Sequence, residues 1–245
     1  MTSYEPLKSV EKTLRVLELL NKSPVVRVNE LVKHTGIPTP TIIRILETLV
    51  RNGYVRHLGR RAGYCVTERI QALSAGNHGL PAIFDRARAE AEKITQQHLW
   101  PSAIATLDAD AMVVRFSTIP ISPLSHKHST INRRLSLLRH AHGRAYLAFC
   151  PEAEQSHIID LLQRTNPEQA DQIAMQAQQA ISSTQAIGVG QRDISLEPET
   201  KTMALPMFIG QKVVCTIGVT YFARGKVDEP GLRASLEQAV QDCRN

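Results

Sequence analysis

The sequence predicts an α+β fold in two domains, and three observations carry that reading. Two short amphipathic segments meet at a Gly-Ile-Pro turn near the N-terminus and are followed by an alternating hairpin. Helical periodicities and strand-like runs then mix through the rest of the chain, the pattern of helices flanking a mostly antiparallel sheet. The charge divides the same way. Residues 1–70 hold 12 Lys/Arg against 6 Asp/Glu, a net of +6, while residues 71–245 hold 17 of each and are neutral. A basic N-terminal module on a neutral body suits nucleic acid for one part and a different ligand for the other.

The first helix is expected from a Ser9 cap to about Asn21, with Val10, Leu14, Leu17 and Leu20 as its buried stripe. Asn29 caps a short second helix that Gly36 ends in a left-handed turn. In VNELVKHTGIPTPTIIRILETLVRNG, residues 28–53, Thr39 is the expected cap of the third helix, with Pro40 at its first position. Ile42, Ile45, Leu46 and Leu49 form its apolar face. Tyr54 to Thr67 then reads as a β-hairpin with Arg60 and Arg61 near its tip. Three helices and a basic hairpin make a winged helix-turn-helix.

A connecting helix is expected near 68–79, and Pro81 opens a longer one carrying Ile83, Ala87, Ala91 and Ile94 on one face. Ser102–Leu107 and Ala111–Phe116 form a hairpin, 118–132 a loop, and Arg134–Leu138 a short strand leading into a helix from Ala141 to Phe149. Helices follow at 151 and 167–187. Strands Thr202–Met207 and Lys212–Phe222 and a helix Gly231–Cys243 complete an α+β sensor-like domain. The expected divisions are a DNA-binding domain at 1–68, a linker helix at 69–80 and an effector-binding and oligomerisation domain at 81–245.

Composition excludes several classes. The chain has 245 residues, 42% hydrophobic and 21% charged, as an ordinary globular protein does. No apolar run approaches the roughly 20 residues of a membrane span. The start MTSYEPLKSVEK lacks the apolar core of a signal peptide. Four scattered cysteines without a CxxC pair suit reduced thiols, so a cytoplasmic location without membrane contact is expected.

Three segments resemble the IclR family of bacterial transcriptional regulators: SVEKTLRVLELL, LVKHTGIPTPTIIRILETLVRNGYV and RRLSLLRHAHGRAYLAFC. The second alone would indicate only a winged helix; the third, at its distance from the second, is specific to the family. WPSAIATLDADAMVVR and LSHKHSTINRRLSLL are similar to the hydroxyphenylpropionate-catabolism activators, the MhpR-like branch. Pro40 departs from the Ser that members often carry, and Ser136 from the usual Pro.

The exposed face of the third helix offers Thr39, Thr41, Ile43, Arg44 and Thr48 for DNA, with Arg60 and Arg61 at the wing. Hydroxyls near a helix start suit phosphate and base edges, Arg44 could take a guanine bidentately, and Ile43 a thymine methyl. The bland alternative is that Arg44 and Arg51 are solvated charges. The resemblance implies that the amides of Ala141 and His142 hold an effector carboxylate against Leu135, an anion at a helix N-terminus. It places facing positions at Thr202, Gly218 and Thr220, and another at Arg192. Met112, Arg115 and Cys215 are expected to line a larger space, which favours an aromatic or longer carboxylate over a two- or three-carbon acid. Thr202 and Thr220 could also be plain strand residues, and Arg115, Arg133 and Arg134 surface charges.

His126, His128, His140 and His142 form two HxH pairs, but no carboxylate or CxxC completes a zinc set at recognisable spacing, so no metal or cofactor is expected. GxSxG, P-loop and glycine fingerprints are absent, and Cys150 reads as a buried thiol, which argues against an enzyme. The expected function is a ligand-responsive regulator of a catabolic operon. Its partners would be double-stranded promoter DNA, a small aromatic carboxylate, a second copy as homodimer or dimer of dimers, and RNA polymerase. The alternative is a small-molecule binding or catalytic domain whose N-terminal module serves dimerisation.

Overall fold

The computed structural model describes residues 5–59, 62–74, 82–125, 127 and 129–244. Two compact units divide the chain, Met1–Gly79 and Leu80–Asn245.

In the first unit, α1 (Lys8–Leu20), α2 (Val28–Thr35) and α3 (Thr39–Arg51) precede a two-stranded antiparallel wing, β1 (Val55–His57) and β2 (Tyr64–Val66). Leu31, Ile37, Ile42, Ile45, Leu46, Leu49 and Val55 close one apolar core. The stripe expected on α1 is shifted. Val16 and Leu20 are fully buried, whereas Val10 is 50% and Leu14 54% exposed. Only the C-terminal half of α1 therefore reaches the core. Ser9 does not cap this helix; it lies inside it, its carbonyl accepting from the Thr13 hydroxyl at 2.8 Å. Asn29 is likewise helical, and Glu30 supplies the cap, its carboxylate accepting the Arg27 amide at 2.8 Å. After the wing comes a 3-10 helix, Glu68–Ser74, where a regular linker helix was expected; residues 75–81, with Pro81, lie outside the described residues.

The second unit is a three-layer sandwich. Its six-stranded sheet runs β5 (Arg134–Ser136), β4 (Ala111–Ser117), β3 (Ser102–Asp108), β8 (Lys212–Phe222), β7 (Thr200–Ile209), β6 (Gly190–Gln191), antiparallel at each pairing. Period-two alternation sorts its residues between two faces. Ile104, Met203, Leu205, Cys215, Ile217 and Val219 pack under α4 (Ala82–His98) and α8 (Glu229–Arg244). Ala105, Met112, Val114, Leu135 and Val213 pack with α5 (Ala141–Phe149), α6 (Glu152–Thr165) and α7 (Ala170–Ile187). Pro206 is tolerated in β7 because β6 pairs only as far as Ala204, leaving an edge there.

Two loops are fixed by these layers. The 118–133 segment is tied at one end by the Thr118 amide on the Ser102 carbonyl (2.9 Å) and at the other by the Asn132 amide on the Val114 carbonyl (2.8 Å). The 193–199 segment is held by the Asp193 amide on the Arg139 carbonyl (2.9 Å) and by the Arg139–Asp193 ion pair (3.1 Å). Gly143 lets α5 lie against the preceding turn, since a Cβ there would stand 2.3 Å from the Ser136 carbonyl oxygen.

Candidate DNA face and ligand cavity

The turn between α2 and α3 is built by small polar links. The Thr35 hydroxyl donates to the Leu31 carbonyl (2.6 Å) and accepts the Ile37 amide (3.2 Å), while Gly36 takes the left-handed conformation. Pro38, not Thr39, flanks α3; the amides of Thr41 and Ile42 donate to its carbonyl. Thr39 and Pro40 are thus the first two helical residues, and Pro38 offers no side-chain acceptor to cap them. The Thr39 hydroxyl is left exposed at an open helix start, which suits phosphate.

Burying Ile42, Ile45, Leu46 and Leu49 forces Ile43, Arg44, Glu47 and Thr48 outward, with Ile43 38% exposed and Thr41 half-buried. The Arg44 guanidinium has no ion pair or hydrogen bond among the described residues. The Thr48 hydroxyl, by contrast, donates to the Arg44 carbonyl at 2.7 Å. On the wing, His57 stacks on Tyr64 with ring centroids 4.5 Å apart. Arg60 and Arg61 lie outside the described residues.

In the second unit, a cavity of about 60 Å³ opens at the start of α5, lined by Val114, Leu135, His140, Ala141, His142, Arg192, Thr202 and Thr220 with Ala103, Thr130 and Arg133. A second cavity of about 50 Å³ shares Ala103, Thr130, Arg133, Arg192 and Thr220 with it and adds Lys127 and Glu197. At the α5 end, the His140 amide is taken by the Ser136 carbonyl (3.2 Å), while the amides of Ala141 and His142 have no helical acceptor. The Thr202 and Thr220 hydroxyls, cross-strand neighbours, bond each other at 3.0 Å. The His142 ring is buried, and its Nδ1 shares a hydrogen bond of 2.8 Å with the Thr216 hydroxyl.

Electrostatics at this end favour a neutral pair of imidazoles. Burial, then the positive charges of Arg133 and Arg192, push His140 down to about 4; burial, then His140, push His142 to about 4. Charge concentrates instead on Glu197. Its carboxylate accepts from Lys127 Nζ (2.6 Å), Arg133 Nη2 (2.6 Å) and Arg192 Nη1 (2.7 Å). Burial opposes ionisation of Glu197, but the hydrogen bonds and charges of Lys127 and Arg133 outweigh it and hold the carboxyl at about 2. The Arg192 side chain is only 5% exposed, with Nη2 bonded to the Thr200 carbonyl and hydroxyl. Its Nε–H is buried with no acceptor among the described residues, a deficit of about 1–3 kcal/mol.

The residues expected around an effector therefore divide. Leu135, Ala141, His142, Arg192, Thr202 and Thr220 converge on one cavity. Gly218 stands just behind it, since a Cβ there would come within 2.9 Å of the His142 ring. Met112, Arg115 and Cys215 do not line the cavity. Met112, the cross-strand neighbour of Leu135, is fully buried in the same apolar cluster. The bulge at Ile104/Ala105 leaves Arg115 unpaired in the ladder, and its guanidinium turns to the Thr106 hydroxyl (3.1 Å) and Asp108 (3.2 Å). Cys215 alternates onto the α4–α8 face. Lys127, Thr130, His140 and Glu197 are lining residues the sequence did not single out for a ligand. Val114 could have been found by continuing the Met112 face two residues on. Nothing in the local sequence marks Glu197. His126 and His128 lie outside the described residues, and among those described no three His, Cys, Asp or Glu cluster as metal ligands.

These features define a class: a winged-helix DNA-binding module joined to an α+β domain that encloses a cation-lined cavity. Residues 9–59 match the IclR helix-turn-helix domain. An IclR family transcriptional regulator from Brucella abortus is 22% identical, with 98% of this chain and 92% of that one covered at a TM-score of 0.56. The Thermotoga maritima IclR is 16% identical over 96% and 97%, at 0.67. An IclR homolog from Microbacterium hydrocarbonoxydans, complexed with 4-hydroxybenzoate, is 14% identical over 97% and 98%, at 0.64. The N-terminal module is thus similar to the IclR helix-turn-helix domain, and the whole length has the fold of these solved structures. No described helix is long and apolar enough to cross a membrane.

Proposed function

We propose that the chain is a ligand-responsive transcriptional regulator that binds promoter DNA through α3 and the wing and senses a small carboxylate in the cavity at the start of α5. The observation that carries the ligand class is the set of unsatisfied donors there. Ala141, His142 and Arg192 line one cavity; the amides of the first two have no helical acceptor, and Arg192 carries a buried Nε–H without one among the described residues. Donors without acceptors select an anion or an oxygen-rich ligand. An aromatic acid suits the apolar walls Ala103, Val114 and Leu135, and the Microbacterium homolog complexed with 4-hydroxybenzoate is a precedent for such a ligand in this fold. The earlier case from Met112, Arg115 and Cys215 no longer contributes.

In this reading residues 1–68 bind DNA, 69–80 couple the two parts, and 81–245 bind effector and mediate assembly. A homodimer or dimer of dimers would read half-sites about one helical turn apart, or multiples of it, as a cytoplasmic regulator of a catabolic operon, with RNA polymerase a further partner. Effector binding would shift the population between two arrangements with different operator affinity. Calorimetry on the full chain with 4-hydroxybenzoate, 3-phenylpropionate and glyoxylate tests the ligand class. Binding of an aromatic acid that is weakened tenfold or more in Arg192→Met is expected. Binding of glyoxylate alone would overturn the aromatic assignment.

A further inference from the structure

Beyond the carboxylate position at α5, the cavity contains a second place for negative charge. Lys127, Arg133 and Arg192 converge on one carboxylate, that of Glu197, at 2.6, 2.6 and 2.7 Å. Three cations on one anion leave a surplus of positive charge in a partly desolvated site, where such charge seeks a partner strongly. Arg133 and Arg192 border both cavities, one reaching the α5 amides and the other reaching Lys127 and Glu197. Arg192, nearly fully buried, still has a donor without an acceptor.

We propose that the Lys127–Arg133–Arg192 cluster is a second anion position of the effector site, occupied by Glu197 as a built-in stand-in, and that the site takes acids carrying a carboxylate at each end. One carboxylate would sit on the amides of Ala141 and His142. The other would take Arg133 and Lys127 from Glu197, merging the two cavities into one elongated space. This rests on the reading that the α5 cavity is the effector site. Glu197 then sets specificity: it competes with a second carboxylate and is indifferent to its absence. A monoacid leaves the ion cluster intact, whereas a diacid must exchange one carboxylate for another.

Titration calorimetry on the full chain tests this with matched probes: benzoate against terephthalate, 3-phenylpropionate against 3-(4-carboxyphenyl)propionate, and hexanoate against adipate. In the wild type, at least one diacid is expected to bind about tenfold or more tighter than its monoacid. Glu197→Gln should widen that ratio by removing the competitor. Arg133→Gln and Lys127→Gln should each bring it toward one, with far-UV circular dichroism and an unchanged unfolding midpoint showing that these variants remain folded. If monoacids bind as well as diacids, and Glu197→Gln leaves the ratio unchanged, the second position is refuted while the α5 reading survives. If no acid binds the wild type or any variant, both fall.

Discussion

The imidazole of His142, in the first turn of α5, is tied to the Thr216 hydroxyl on β8 at 2.8 Å across the buried interface between helix and sheet. The same hydroxyl lies 3.4 Å from the Ala105 carbonyl. If it donates there, His142 is the donor at Nδ1, leaving Nε2 bare against Gly218. The bond holds the helix whose first amides face the cavity, so the protonation of one ring is linked to the geometry of the site.

That linkage gives a pH window. His142 and His140 both fall from an ordinary value of 6.5 to about 4, so the folded domain disfavours their charged forms. Such groups contribute stability fully above pH 6.5 and lose it as pH falls toward 4. At pH 5 the loss from His142 alone is about 2 kcal/mol. Urea denaturation followed by Trp100, the single tryptophan, should show a lower midpoint at pH 5 than at 7.5, and His142→Asn should flatten the difference. Equal midpoints in the wild type would refute it.

Gly218 is the other side of the same contact. A Cβ would meet the His142 ring at 2.9 Å and the Met203 carbonyl oxygen at 2.8 Å, and backbone cannot yield cheaply. Gly218→Ala should destabilise the domain by about 1–3 kcal/mol and weaken acid binding by displacing α5. Chemical denaturation and calorimetry on the same variant check both parts; an unchanged midpoint would show that α5 adjusts freely.

The fold was legible where periodicity and burial coincide. α3 and β8 were readable because alternate or one-in-three-or-four positions are apolar and truly inward. The cavity was legible at Ala141, His142 and Arg192 only through the family resemblance. It was illegible at Lys127 and Glu197, because which loop residues meet depends on how the loop before β5 and the loop before β7 run over the sheet, not on local sequence. Arg115 could be read as a ligand-facing or a surface charge, and the choice depends on a local bulge that leaves it unpaired beside Thr106 and Asp108.

The first helix shows the same limit and supplies a contrast experiment. Leu14 and Leu20 both fit the apolar stripe, yet Leu14 is 54% exposed and Leu20 fully buried. Leu20→Ala should cost about 2–5 kcal/mol. Leu14→Ala should stay within about 0.5 kcal/mol in the isolated folding equilibrium. A large loss at Leu14 that grows with protein concentration would point to a copy of the chain covering it.

On α3 the two side chains one turn apart, Arg44 and Thr48, differ in what they have left to give. Thr48 already donates its hydroxyl hydrogen to the Arg44 carbonyl, so only its lone pairs remain for a phosphate or base. The Arg44 guanidinium is exposed and has no partner among the described residues, so its five donors meet DNA without first breaking a bond. A bidentate guanine contact is worth about 1–3 kcal/mol of discrimination. Arg44→Ala should therefore weaken binding to the promoter DNA upstream of the gene roughly 5- to 150-fold and bring it toward the affinity for scrambled DNA. Thr48→Val should change promoter affinity by only a few fold. Gel-shift titrations at two salt concentrations separate the cases. A loss at Arg44 equal on both DNAs, with a shallower salt slope, would make it a phosphate contact instead. No loss on either would remove α3 from the interface.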